Sequence, residues 1–319
     1  MALTSVFLMD PVHGIDIEAD STFVLMMEAQ DRGHTVYVAH PRDLELRQGD
    51  PWVWAQKTTL QRVQGEHAAQ EAPIELALNQ VDVVYLRKDP PFDEAFLGST
   101  WILDRVDRSR VVCVNDPQGV RDFNEKLSAL HFPELLPPSM VSANRKNLRA
   151  FIEREEKAVV KPLMGAGGAG IVLLEHGDRN IGSVLDILTQ EGKVAIEAQR
   201  YLPDVTAGDK RIVLLDGKPI GAINRVPAAD DIRANMHVGG AAHGSKRNER
   251  DEDICARLGP ELSRRGLVFV GFDVIGGWLT EVNVTSPPGL QEINRFDNVR
   301  LEAQILDWVA ARAAKLAKA

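Results

Sequence analysis

Residues 159–171, VVKPLMGAGGAGI, hold Gly165, Gly167 and Gly170 in the spacing G-x-G-x-x-G, and their flanks decide what the chain can fold into. A dinucleotide-binding turn needs a strand before the glycines and a helix opening on them, because the pyrophosphate rests on the helix N-terminus. Here AVVKP precedes the glycines, and IVLLE, a β-branched and aliphatic run ending at Glu175, follows them, with the turn-like HGDRN beyond. Two strands therefore flank the loop, which tips a hairpin. The Lys161–Pro162 pair is likewise foreign to the dinucleotide motif.

At 319 residues the chain exceeds the usual single core, so several domains in one enzyme-sized body are expected. A formal charge of −9 argues against nucleic acid or an anionic membrane as a partner and leaves small molecules. Cys113 and Cys255 lie far apart without C-x-x-C spacing, which suits a reducing cytoplasm and offers neither a disulfide framework nor a thiolate metal site. The N-terminal MALTSVFLMDPVHG lacks a basic start and is interrupted by Asp10, so no signal peptide is expected, and no later apolar run reaches membrane-spanning length.

The first third alternates. SVFLM reads as a strand, a helix runs from Asp20–Ser21 to near Gly33, and TVYVA, VDVVYL and VVCVN read as further strands, the last two ending in Arg87-Lys88-Asp89 and Asn115-Asp116. Apolar strands with polar clusters at their carboxyl ends are the pattern of a parallel sheet with a site along that edge. The polar stretch after TVYVA has no readable period. From Pro117 to about Leu130 the pattern is helical, putting Lys126 on a helix, until the prolines of FPELLPPS break it. A second unit follows: helix NLRAFIEREE, the glycine hairpin, helix IGSVLDILTQ and strand KVAIEAQRYL. Then come a strand pair turning at Asp216–Gly217, an aperiodic loop over 228–248, helix DEDICARLGPELSRRG, two strands joined at Gly276–Gly277, and a final helix from Leu301.

Two lysines, Lys126 and Lys161, can converge as point charges on the phosphates of ATP while glycine N–H groups close over them. Asp273 lies on one strand, and Glu281 and Asn283, two apart on the next, share a face by the strand period; their oxygens suit magnesium rather than zinc. A strand-end lysine beside glycines contributes little packing, so its loss should spare the fold.

In combination these features resemble the ATP-grasp ligases, and within them the bacterial glutathione synthases. The resemblance runs nearly end to end, through MDP (9–11), DSTFVLMMEAQDRGH (20–34), RKDPPFD (87–93), FNEKL (123–127), KPLMGAGGAGI (161–171), QRYLP (199–203), GDKRIVLLDGKPIG (208–221), VFVGFDVIG (268–276) and LTEVNVTSP (279–287). It implies an α/β chain of ATP-grasp fold with a Rossmann-like N-terminal domain over 1–122, a lid subdomain over 123–201 and a C-terminal domain over 202–319. The implied activity joins γ-glutamylcysteine to glycine with ATP and two magnesium ions, manganese being an alternative, in a cytoplasmic homo-oligomer, dimer or tetramer. By the family pattern Lys126 and Lys161 contact phosphates, Gly165, Gly167, Gly168 and Gly170 cover them, Gln199, Tyr201 and Leu202 line the adenine, and Asp209 faces the ribose. Asp273, Glu281 and Asn283 ligate the metals. Arg211, Arg225 and Ser286 approach the peptide or its phosphorylated carboxyl, with Lys161, Arg225 and Arg211 as the catalytic cations. Arg87 and Ser21 meet the peptide from the N-terminal domain, and the loop carrying Arg233, Asn235, Gly239 and Gly240 shields the intermediate.

The chain departs from the pattern after Ser286–Pro287. Glutathione synthases usually continue with Thr, a small residue, an aliphatic and Arg, whereas here the run is Pro288, Gly289, Leu290 and Gln291. A neutral Gln cannot grip a carboxylate as Arg does, so another cation is expected to, with Arg295 or Arg300 nearest in sequence. Two other readings stay open: a ligase of another peptide or amino-acid pair, and a nucleotide-binding protein without ligase activity.

Overall fold

The computed structural model of the chain describes residues 2–228, 233–234 and 239–318. The strands of the described residues form three sheets. The first begins with β1 (Thr4–Leu8), and Asp20 then caps α1 (Ser21–Asp31) by accepting a bond from the Phe23 N–H. Strands β2 (Thr35–Ala39), β3 (Leu44–Arg47), β4 (Asp50–Leu60), β5 (Ala68–Gln70), β6 (Ile74–Ala77) and β7 (Val83–Leu86) follow; the stretch without readable period is thus an antiparallel excursion. Helix α2 (Glu94–Leu103), β8 (Val112–Val114) and α3 (Pro117–Asp122) complete it. Strands β2, β1, β7 and β8 run parallel in that spatial order, so β1 and β7 flank the point where the connections reverse direction. Arg87 stands at the carboxyl end of β7, beside this crevice.

The helix expected from Pro117 to Leu130 stops at Asp122. Lys126 instead caps a separate turn of 3-10 helix, Leu127–His131. The second sheet has the order β11-β10-β12-β9, built from β9 (Ser139–Ser142), β10 (Lys157–Pro162), β11 (Val172–Glu175) and β12 (Ile196–Arg200). Helices α4 (Arg145–Glu155) and α5 (Ile181–Leu188) back it, and Leu148, Phe151, Ile152, Val160, Ile181 and Leu185 make a core of its own. As read from the sequence, β10 and β11 pair antiparallel around the glycines. Gly170 has φ +73° and a Cβ there would stand 2.8 Å from Pro162 Cγ, so neither a left-handed backbone nor the space admits another residue.

The third sheet follows β15-β14-β13-β16-β17, from β13 (Asp209–Leu215), β14 (Lys218–Val226), β15 (Ala241–Gly244), β16 (Phe269–Ile275) and β17 (Trp278–Asn283), with α6 (Glu249–Arg264) before β16. Strand β15 corrects the expectation of an aperiodic loop over 228–248. Helix α7 (Leu290–Asp297), also unforeseen, precedes α8 (Leu301–Leu316). One continuous core joins the first and third sheets, with Leu8, Val84 and Leu86 packed in the same cluster as Ile212, Phe272 and Val282. Among the described residues no helix is long and apolar enough to cross a membrane.

Candidate functional site

The second and third sheets face each other across a cleft. Lys126, Lys161, Gly165, Gly167, Gly168, Gln199, Tyr201, Leu202, Asp209, Asp273 and Glu281 line it, with apolar Val159, Ile171, Val205 and Ile275. Most of the residues named from the sequence as nucleotide or metal contacts thus meet here, although they span nearly half the chain.

Lys126 ties the cleft together. Its buried Nζ donates to the Gly165 carbonyl at 2.6 Å and to Glu281 Oε1 at 2.8 Å, linking the glycine hairpin to β17. Burial alone would lower the Lys126 pKa, but the Glu281 carboxylate, with Glu125 and Glu197 behind it, outweighs burial and raises the pKa instead. Lys161, near the end of β10, donates to Gln199 Oε1 at 3.0 Å and lies opposite Glu197 on β12.

Opposite these lysines lies a carboxylate and guanidinium cluster. Asp273 on β16 accepts from Arg211 Nε and Nη2 at 2.5 and 2.9 Å and pairs with Arg225 Nη2 at 2.9 Å. Arg225 also donates to Asp209 Oδ2 at 2.7 Å. Burial raises Asp273, yet the two guanidinium groups overcome it and hold the carboxyl well below the usual carboxylate range. Asp209, with only one of those arginines hydrogen-bonded to it, is pushed by burial up to about 6. The strand register sets Asp273 opposite Glu281, and Asn283 Nδ2 lies 3.3 Å from Asp273 Oδ2. A hard divalent cation fits this oxygen-bearing face. Among the described residues no three His, Cys, Asp or Glu side chains cluster, and the Asn283 carboxamide oxygen, after rotation of its amide, is a further oxygen donor on this face.

The residues named for the peptide are more dispersed. Arg87 is buried at the first crevice, where Nε donates to Thr22 Oγ1 at 3.0 Å, Nη2 reaches the Pro287 carbonyl at 3.3 Å, and the guanidinium stacks on Phe269. Its Nη1 has no partner among the described residues, and burial lowers its pKa to about 10. Ser21 Oγ accepts from the Leu290 N–H at 3.2 Å. Ser286 and Gly240 are half-buried. Arg233 Nη1 donates to the Gly168 carbonyl at 3.4 Å, bringing Arg233 against the glycine hairpin, while Asn235 lies outside the described residues.

Gln291 does not face the cleft. It is buried and donates from Nε2 to the carbonyls of Ile17 and Asp20 at 2.9 and 2.8 Å, pinning α7 to the entry of α1. Gly289, with φ +117°, supplies the backbone that starts this helix. The expectation that Arg295 or Arg300 replaces the missing guanidinium is corrected as well. Arg295 bonds the Glu18 carbonyl and Glu292, Arg300 pairs with Glu28 and Glu302, and both lie largely in solvent.

Two contributors escaped sequence reasoning. Glu125 Oε1 accepts from Val284 N, Thr285 N and Thr285 Oγ1 at 2.9, 3.1 and 2.9 Å, clasping the segment that follows Asn283. Asn115 joins the first sheet to the same segment, donating to the carbonyls of Phe269 and Val284 at 2.8 and 2.7 Å. Both lie inside stretches noted from the sequence, but each acts on residues more than 150 positions away. Glu125→Ala would strand two buried N–H groups and a hydroxyl, and is expected to lower stability by about 3 kcal/mol. An unshifted denaturation midpoint would show that the clasp adds nothing net.

A glycine hairpin and two lysines closing on an oxygen-bearing strand pair define a ligase of ATP-grasp fold. The solved structures agree at the level of fold: the chain is similar to the D-cycloserine synthetase DcsG (TM-score 0.65, 16% identity, 98% of this chain and 99% of that one) and to the ATP-grasp ligase PsnB complexed with minimal precursor (TM-score 0.61, 16% identity, 98% and 99%). The chain belongs to the prokaryotic glutathione synthetase family, whose N-terminal domain model matches residues 3–121 and whose ATP-grasp domain model matches residues 125–298. It is 43% identical over 312 residues to the glutathione synthetase of Brucella melitensis biotype 1, covering 98% of this chain and 100% of that protein. A similar relative, the glutathione synthetase of Thermosynechococcus vestitus, is 43% identical over 312 residues (95% and 98%).

Proposed function

We propose that the chain joins γ-glutamylcysteine to glycine in an ATP-dependent reaction, giving glutathione, ADP and phosphate. The carrying observation is the convergence of Lys126, Lys161, the glycine hairpin and the Asp273–Glu281–Asn283 face on one cleft, in a chain 43% identical to proteins named glutathione synthetase.

The chemistry follows from charge. A carboxylate is a poor electrophile, so its oxygen first attacks the γ-phosphorus of ATP, forming an acyl phosphate as the bond to ADP breaks. The glycine amine then attacks the acyl carbon, phosphate leaves with the bonding pair, and the ammonium proton passes to solvent. No side-chain nucleophile takes part; the protein positions the groups and neutralises charge. Lys126 and Lys161 hold the phosphates under Gly165, Gly167, Gly168 and Gly170, while Gln199, Tyr201 and Leu202 contact the adenine and Asp209 the ribose. Arg225 and Arg211 turn part of their charge from Asp273 toward the transferring phosphoryl group. Magnesium bound at Asp273, Glu281 and Asn283, in two copies and replaceable by manganese, supplies further neutralisation when present. Ser21, Arg87 and Ser286 hold the dipeptide, and Arg87, whose Nη1 has no partner among the described residues, is the cation that takes the carboxylate contact that Gln291 cannot make. The segment carrying Arg233, Asn235 and Gly240 shields the acyl phosphate from water. The segments 1–122, 123–201 and 202–319 act as substrate domain, lid and metal-bearing domain, in a cytoplasmic dimer or tetramer.

A second reading, ligation of another carboxylate and amine, is favoured by the Pro288–Gln291 departure. ADP release measured with ATP and magnesium over a panel of carboxylate donors, with and without glycine, separates the two. Fastest release with γ-glutamylcysteine plus glycine is expected; a pair that outruns it would overturn the glutathione reading and leave the broader ligase.

A further inference from the structure

Beneath the two lysines lies a carboxylate to which the reaction above gives no task. Glu197 on β12 is fully buried, directly opposite Lys161 in the strand register. Its Oε2 stands 3.6 Å from Lys161 Nζ and has no hydrogen-bond partner among the described residues. Its Oε1 lies 3.3 Å from Gln199 Nε2. The Gln199 amide therefore bridges the pair, with its oxygen 3.0 Å from the ammonium and its nitrogen toward the carboxylate and toward Ser139 Oγ.

A buried carboxylate is costly to desolvate unless something nearby compensates it. For packing alone an apolar side chain of the same length would serve better. The charge makes sense against the rest of the floor. Lys126 and Lys161 face Glu281 and Glu197, two amines to two carboxyls, and the Lys161 ammonium works against the burial that raises the Glu197 pKa. Glu281 can turn to a divalent cation, whereas Glu197 sits directly opposite Lys161 in the strand register.

We propose that Glu197 is a positioning residue for Lys161, a counter-charge that fixes the ammonium and the Gln199 amide in the floor and tempers the attraction for nucleotide phosphates so that ADP can leave. The proposal rests on the nucleotide reading of the cleft. An ammonium with an anion beneath it offers less net field to a phosphate above it, and the Gln199 amide, held at both ends, cannot flip its nitrogen toward Lys161.

Calorimetric titration of ADP into wild-type protein, Glu197→Gln, Glu197→Met and Glu197→Asp tests this without reference to turnover. Gln and Met remove the charge at nearly constant length and are expected to lower the ADP dissociation constant about tenfold or more. Asp keeps the charge and is expected to stay within about threefold of wild type. A packing role predicts the reverse order, with Gln close to wild type and the shortened Asp most perturbed. Melting curves identify which variants are folded, and either charge-removing variant suffices. If wild type binds ADP and a folded Gln or Met variant binds no tighter, the role of Glu197 falls while the nucleotide reading stands. If wild type fails to bind ADP, the nucleotide reading itself falls, and this proposal with it.

Discussion

Lys161→Met is expected to abolish measurable ATP turnover, a loss of roughly 100-fold or more, as when a charge aimed at a transferring group is removed. It is also expected to lower the melting temperature, contrary to the expectation that a strand-end lysine is cheap to lose. Methionine replaces the aliphatic stem, but it leaves the buried Glu197 without the ammonium 3.6 Å away. An uncompensated buried charge is among the more costly single changes, at about 3–5 kcal/mol. The double variant Lys161→Met with Glu197→Gln should recover most of the melting temperature and none of the turnover. ADP release followed beside thermal unfolding checks both, and wild-type turnover by Lys161→Met would remove the argument.

Glu281→Gln and Asn283→Ala are each expected to raise the magnesium requirement by about tenfold or more, and their combination by far less than the product. Both donors stand on one face of β17 beside Asp273, so losing one already dismantles the set that the other needs. Magnesium titrations of ADP binding and of turnover, run on the two single variants and the double variant, give the coupling. Purely additive losses would mean the two side chains are independent surface groups on a hairpin.

The parts of the site that alternate were the most legible. The period of two puts Glu281 with Asn283, the glycines announced a hairpin because two β-branched runs flank them, and the strands of the first sheet read as buried runs ending in polar residues. The same period puts Glu197 and Gln199 on one face of β12. Strand β4 is hard to read because its alternation slips between buried Ala55 and buried Thr58, a small and a polar residue between the apolar Val53 and Leu60. Strand β15 is short and mostly exposed, so its residues, AAHG, carry no periodic signal; partners on β14 make it a strand. Gln291 marks the limit of local reading. Its chemistry rightly excluded a carboxylate grip, but its two bonds run to residues about 270 positions away, which no spacing reveals.

Lys126 holds the Gly165 carbonyl with one hydrogen and Glu281 with another, so two halves of the cleft share a single ammonium. A cation that claims Glu281 competes with Lys126 for its charge, and an ammonium so loosened changes what the hairpin can hold. Thermodynamic linkage makes this reciprocal: whatever factor the metal contributes to nucleotide affinity, the nucleotide returns to metal affinity. Neither constant is then a property of its own ligand, and dissociation constants measured for one at a single concentration of the other describe only a point on a shared surface.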